Sequence, residues 1–324
     1  MLAQAAQLAG IGRTKDLQDL LAQSPEVLYE RTNDGDSLLG LACRAATGDI
    51  AIPPDPGTPR QHAAVDLILA AGADPDVADD DGWTPLHTAA MAGHTDLAKR
   101  LLDAGASRQG HLYGASGGSP LALSLFYAQT DVGELLAQPA VPDNLRHAAA
   151  LGHDIERFLN DGVLNNDATE GLDFYGPLIY FPRWQRSLSR QEVLDEALTW
   201  AARNSQIASI QKLVQLGADV NSNPYRGTAL LWAIYADSID TATWLLDNGA
   251  DPNLRHAFGG EGHGVGATAI HLASQFNATE CIELLLSHGA DPNIVDEAYG
   301  GDALGWAEFS GAQDAVELLR NWKV

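Results

Sequence analysis

A chain of 324 residues with 43 Asp and Glu against 19 Lys and Arg presents an anionic surface. Such a surface repels phosphate backbones and anionic lipid, which argues against nucleic acid and membrane as partners; a formal net charge of −24 favours a cationic or neutral partner instead. Hydrophobic residues make up 45% of the chain, enough for a packed core, yet no stretch reaches the roughly 18 uninterrupted apolar residues of a membrane span.

The opening Met1 to Ala9 is apolar, but it lacks the basic residues and longer apolar run of a signal peptide, so it reads as the start of a terminal cap over roughly residues 1–30. Beyond it a helix-closing glycine followed by alanine recurs as Gly72-Ala73-Asp74, Gly217-Ala218-Asp219, Gly249-Ala250-Asp251 and Gly289-Ala290-Asp291, with Gly105-Ala106-Ser107 as a variant. Gly72 to Gly105 spans 33 residues and Gly217 to Gly249 spans 32. Glycine suits this place because it takes the left-handed conformation without a Cβ penalty. After the first such turn comes Thr84-Pro85-Leu86-His87-Thr88-Ala89-Ala90, in which Thr84 is a candidate N-cap and Pro85 fits the first helical turn. The paired alanines allow close approach to a neighbouring helix, and leucines at helical spacing follow in a second helix. This pattern resembles the ankyrin repeat, most closely over Asp79 to Ala106. The resemblance implies an all-α fold, an ankyrin-repeat solenoid of about nine helix–loop–helix units with hairpin fingers.

In chain order, the second unit starts near Asn33 and is split by a Pro-rich insertion from Asp49 to Arg60. The third is 79–110, and the fourth and fifth are degenerate, with Ser119-Pro120-Leu121 and Leu145-Arg146-His147-Ala148-Ala149-Ala150. The sixth to ninth run Glu192–Asn221, Asn223–Asn253, Leu254–Asn293 and Ile294–Val324. The expected organisation is 1–159 as N-terminal repeats, 160–190 as an aromatic insertion and 191–324 as C-terminal repeats. The insertion, with Asp173, Tyr175, Arg183 and Trp184, is too aromatic for a solvated linker, and a long finger from Arg255 to Gly266 marks the eighth unit. Insertions in solenoids tend to fall on one face, often the binding face.

The resemblance places a groove at the two positions after the paired alanines. Five of the sixteen residues there are aromatic: Phe126, Tyr127, Tyr235, Phe276 and Phe309. With Trp83 and Tyr225 from the fingers, and Tyr175 and Trp184 from the insertion, they are the candidate ligand contacts. The insertion either roofs a pocket over these rings or buries them as additional core. Trp200, Trp232 and Trp306, two residues beyond a leucine, read as core between repeats. His87 and His271 match the histidine that, by the resemblance, ties adjacent fingers together. Cys43 and Cys281 fall in repeats at opposite ends of the array, beyond disulfide reach, and read as buried thiols in a reducing cytoplasm.

Motifs with sharper chemistry do not hold. Gly114-Ala115-Ser116-Gly117-Gly118 spells an esterase elbow but lies in a finger, without the required strand and helix. Gly262 to Ala267 approximates a dinucleotide fingerprint with no strand before it. Asp79-Asp80-Asp81-Gly82 lacks both outer carboxylates of a calcium loop, and neither Cys-x-x-Cys nor His-Glu-x-x-His occurs. The acid–base candidates are His263, Glu261, Tyr225, Arg226 and Asp173, carried on the fingers and the insertion. The degenerate middle, aromatic insertion and Gly-His-rich finger are similar to bacterial ankyrin-repeat proteins of natural-product pathways that act as hydratase–cyclases. The aromatic lining suits a small, largely apolar ligand, the acid–base set suits proton transfer without a redox cofactor or metal, and the similarity implies a hydratase–cyclase. The ankyrin resemblance by itself implies a protein-interaction scaffold.

Overall fold

The computed structural model describes residues 1–47, 58–109, 118–138, 144–168, 189–224, 227–257 and 265–322. Helix pairs follow one another along the chain. The first compact unit holds α1 (Leu2–Gly10), α2 (Thr14–Gln23), α3 (Leu38–Thr47), α4 (Pro59–Ala70), α5 (Pro85–Met91), α6 (Thr95–Asp103), α7 (Pro120–Phe126) and α8 (Thr130–Ala137). The second holds α9 (Leu145–Ala150), α10 (Arg190–Arg203), α11 (Ile207–Gln215), α12 (Ala229–Tyr235), α13 (Ile239–Asp247), α14 (Ala269–Gln275), α15 (Thr279–Ser287), α16 (Ala303–Ser310) and α17 (Gln313–Asn321). None of the described helices is long and apolar enough to cross a membrane.

Local chemistry explains where the first helix of each pair begins. The side chains of Ser119, Asn144, Ser189, Thr228 and Asp302 each accept the backbone N–H three residues on, satisfying a donor that the helix itself leaves open. Thr58 and Gln61 complete a reciprocal capping box at α4, so that helix begins inside the segment expected to be insertion. First helices stack on first helices (α3, α5, α7 in one unit; α10, α12, α14, α16 in the other) and form an inner row. Ala89, Ala90, Ala148, Ala149, Ala201, Ala202, Ala233, Ala273 and Ala307 are fully buried in these inner rows. Leu97, Leu101, Leu213, Leu245 and Leu285 fill the layer beneath, each contributing about 1.5–3 kcal/mol by leaving water.

The fifth repeat is incomplete. Short α9 packs on α10, in the second unit, and no second α-helix follows it among the described residues. A 3-10 turn, Glu156–Phe158, takes that place and drives Phe158 fully into the core, ahead of a two-stranded hairpin of β1 (Leu159–Asn160) and β2 (Val163–Leu164).

Between units of the second half the turns are linked by side-chain amides. Asn221 donates to Gly249 O at 2.9 Å and accepts the Asp251 N–H at 2.8 Å; Asn253 repeats the arrangement on Gly289 O and Asp291 N–H. This explains the recurring Gly-Ala-Asp-x-Asn: the aspartate orders its own turn, and the asparagine ties it to the next. The two histidines take the finger-tying role that the resemblance implied. His87 Nδ1 accepts the Thr84 N–H, and its Nε2–H donates to Gly118 O. His271 does the same with Thr268 and Gly301 O.

The long eighth finger has an antiparallel base, in which His256 of β3 (His256–Ala257) pairs with Ala267 of β4 (Val265–Ala267). His256 is 3% exposed, and burial pushes its pKa down to about 4. In the ninth finger Asp296 accepts the N–H groups of Ala298, Tyr299 and Gly301 and the indole N–H of Trp306. Burial raises its pKa, but the indole and the amides outweigh that, and the carboxyl sits below its ordinary value. Trp306 is therefore a half-buried finger anchor rather than part of a closed core.

A left-handed residue makes the turn after the first helix: glycine at 12, 93 and 311, and at 152 after α9 of the incomplete fifth repeat, but Ala128, Ser205, Asp237 and Asn277 in the other pairs whose turns are described. Ala128, at φ 60°, has no compensating side-chain contact to offer. Ala128→Gly is expected to raise the unfolding free energy by about 1 kcal/mol, read by urea titration. Acid acts on the two fingers in different intervals. The unfolded chain binds a proton at His256 between about pH 6.5 and 4 that the folded chain refuses, so stability falls as pH drops through that window. His256→Leu is expected to remove about 3 kcal/mol of that fall; the rest remains, because burial lowers the pKa of His271 too. The contribution of Asp296, whose pKa is depressed, is full above the ordinary carboxylate value and is lost as pH falls through its folded pKa. Asp296→Asn is expected to cost about 1–3 kcal/mol at neutral pH and to flatten the lower, acid-most part of the curve.

Candidate interaction surface

The residues that end the inner helices differ in burial from unit to unit: Phe126 and Arg203 are closed off, whereas those of the last three units are at least partly open to water. In the second unit three successive units place aromatics there: Tyr235 closing α12, Phe276 directly after α14 and Phe309 in α16. Tyr235 is half-buried, Phe276 is 39% exposed and Phe309 is 95% exposed. Tyr235 and Phe276 meet edge to face at 6.0 Å between ring centroids. Behind them Tyr235 packs on Trp232 at 5.4 Å, and the Arg203 guanidinium lies 3.3 Å over the Trp232 ring. The Trp232, Tyr235 and Phe276 rings thus run from α12 to the end of α14, with the Arg203 cation of α10 at the buried end.

Each of these helices is followed by a tight turn and then by an exposed acid in the first turn of the second helix: Asp240, Glu280 and Asp314. Acids there favour the helix dipole. They also belong to a wider imbalance, since residues 227–324 hold 14 Asp and Glu against three Lys and Arg.

The other predicted contacts fall differently. Phe126 is 2% exposed, and its ring meets that of Tyr127 at a steep angle, 5.3 Å between centroids. Tyr127 is half-buried. Trp83 donates its indole N–H to Thr88 Oγ1 at 3.1 Å. It lines a shallow, open dent with Asp36, Arg44 and Asp79, in which Arg44 is held by both carboxylates. These three aromatics belong to the first unit, and Tyr235, Phe276 and Phe309 to the second. His263, Glu261, Tyr225, Arg226, Asp173, Tyr175 and Trp184 lie outside the described residues. Among the described residues no three His, Cys, Asp or Glu are grouped to hold a metal ion. Cys43 and Cys281 are free and buried. Burial pushes each thiol up to about 12, aided at Cys281 by the Asp237 carboxylate.

Sequence reading missed a buried ionic cluster on the inner row. Arg146 and Glu196, both 1% exposed at the side chain, face each other at 3.4 Å, and Arg203 is buried beside Trp232. Trp200 lies against His147 at 5.6 Å and near the Arg146 guanidinium. Trp200 and Trp232 are themselves 2% exposed, as core tryptophans should be. The available signal was the break in pattern: arginine two residues after the cap at Asn144, and glutamate one turn ahead of Trp200 where a small or apolar residue suits a helix interface.

The chain can be compared with known proteins on this footing. The family model described as ankyrin repeats in three copies matches residues 59–146 and 184–256, and that of the single ankyrin repeat matches 265–297. The chain is 26% identical to E3 ubiquitin-protein ligase KEG of Arabidopsis thaliana, over 91% of its own length and 19% of that protein. It is 38% identical to ankyrin repeat and SOCS box protein 16 of Mus musculus, over 40% of its length and 29% of that protein. With ankyrin repeat and KH domain-containing protein mask-1 of Caenorhabditis elegans it shares 25% identity, over 89% of its length and 8% of that protein. The chain spans less than a third of the length of each of these relatives. Capped helix pairs, buried alanine rows, histidine-tied fingers and matches covering more than half its length together make it a member of the ankyrin-repeat family.

Proposed function

We propose that the chain is a protein-interaction module that captures a partner segment on the ridge formed by Tyr235, Phe276 and Phe309. The observation that carries this reading is the exposure of Phe276 and Phe309 on successive inner helices. Nothing in the stacking of repeats needs a phenylalanine in water at those places. Each ring would contribute about 1.5–3 kcal/mol on burial against a partner, and aromatic anchors of this kind dominate protein interfaces. Relatives whose names join ankyrin repeats to a SOCS box or a KH domain accord with a recognition part working beside another domain. The two free, buried thiols accord with a reducing compartment such as the cytoplasm.

The competing reading is a small apolar ligand handled by His263, Glu261, Tyr225, Arg226 and Asp173 in a cofactor-independent hydratase or cyclase. It draws its chemistry from outside the described residues. Among the described residues the dent beside Trp83 is shallow, polar and open to solvent, unlike the concave, mostly apolar sites that hold small ligands. The exposed ridge therefore favours a protein partner.

Photo-crosslinking in the source cell tests this. A benzophenone amino acid at position 276 or 309 is expected to give a discrete protein adduct, lost when Tyr235 is also changed to Ser. The same probe at Trp244, on the second helix of its repeat, is expected to give none. Absence of adducts at both 276 and 309, or equal labelling from 244, would sink the proposal.

A further inference from the structure

An aromatic ring at the end of the inner helix and an exposed acid at the start of the next helix recur together in three successive units. Tyr235, Phe276 and Phe309 each precede, by one tight turn, an exposed carboxylate at the start of the next helix: Asp240, Glu280 and Asp314. Further exposed acids stand in the same stretch, Asp237 at the turn after Tyr235 and Glu308 next to Phe309. Dipole compensation explains one acid per helix start. It does not explain 14 acids against three bases over residues 227–324. Of those bases, Arg320 is committed to Glu308 at 2.6 Å, and Arg255 donates to Gly266 O and Val295 O within the fingers.

Aromatic faces carry negative quadrupole potential, and a carboxylate beside them adds a full charge. The pair suits an ammonium or guanidinium whose alkyl stem lies on a ring while its head reaches the carboxylate. The protein already shows half of this arrangement within itself, where the Arg203 guanidinium lies 3.3 Å over Trp232 at the buried end of the same ridge.

We infer that the partner of this ridge is a basic protein segment, with Lys or Arg side chains interleaved with apolar ones. Its cations lie over Tyr235, Phe276 and Phe309 and pair with Asp240, Glu280 and Asp314, while its apolar residues cover the exposed phenylalanine rings. The inference rests on the reading of the ridge as an interaction surface and adds the charge of what binds there. An acidic or an uncharged segment would gain the apolar contact but not the second term, and an acidic one would meet an uncompensated field of its own sign.

The test uses the full chain and three labelled peptides of equal length, one mixing Arg, Lys and Leu, the second with Glu in place of each base and the third with Gln. Binding is read by fluorescence anisotropy. The basic peptide is expected to bind about tenfold or more tighter than the Gln peptide; no binding is expected for the Glu peptide. Phe276→Ser with Phe309→Ser is expected to weaken the basic peptide by about tenfold or more; Asp240→Asn, Glu280→Gln and Asp314→Asn together are expected to do likewise. The charge-matched control Asp247→Asn, Glu283→Gln and Glu317→Gln, on exposed positions of the second helices, is expected to change little. Circular dichroism of each variant checks that the repeats remain folded. If the control weakens binding as much as the ridge acids do, or the serine variants bind normally, the attraction is that of any polyanion and the inference is overturned. It is equally overturned if the Glu or Gln peptide binds as well as the basic one. In that case adducts from positions 276 and 309 would still leave the interaction surface standing with a partner of different charge. Failure of the crosslinks removes the surface itself.

Discussion

No helix pair in this chain can cover its own apolar face, and every feature of the fold follows from that dependence on the neighbour. Alanines on the inner helices let successive backbones approach closely, and leucines on the second helices close the layer below. Asn221 and Asn253 extend the dependence to the turns by bonding across to the next unit. Positions inside this stack are held to small or aliphatic residues. At its rim, where an inner helix ends and the next helix begins, burial varies from unit to unit, and the aromatic ridge and its acids stand where the rim is open.

The second unit breaks the rule in one region, and the break supports the rim. Arg146, Glu196 and Arg203 bring charge into a layer built for methyl groups, and desolvating such ions costs several kcal/mol each unless they are paired. Glu196 faces Arg146, and Arg203 is stacked on Trp232, which also meets Tyr235 edge to face. A guanidinium is well suited to this, since it is planar, weakly hydrated and always charged. The cluster fixes the tryptophan on which the ridge begins. An apolar residue at 203 would pack as well but would not orient Trp232 through a charge.

The turns show how far stacking overrides local preference. Ala128, Ser205, Asp237 and Asn277 adopt the left-handed conformation that glycine takes at Gly93, Gly152 and Gly311. At Asn277 the side chain recovers some of the strain by bonding Asp314 and the Ala315 N–H, and at Asp237 the carboxylate accepts the Cys281 thiol. Ala128 has no such means, so the surrounding helices alone hold it there.

Much of this was legible from residue types in order. Glycine, cap and leucine spacing identified the repeat; Thr-Pro-Leu-His marked His87 and His271 as finger ties; and the pair after the alanines marked the inner-helix ends. These are local signals, because a cap, a turn or a helix face is specified by residues a few places apart. Burial at a given register position is not local. Phe126, Arg203 and Phe309 each stand two residues before a left-handed turn, yet Phe126 and Arg203 are 2% and 1% exposed while Phe309 is 95% exposed. The sequence by itself determined that these three residues occupy equivalent places on equivalent helices. Only the tertiary structure decided which are core and which are surface, because burial depends on what packs against each inner-helix end in three dimensions and not on its place in the repeat.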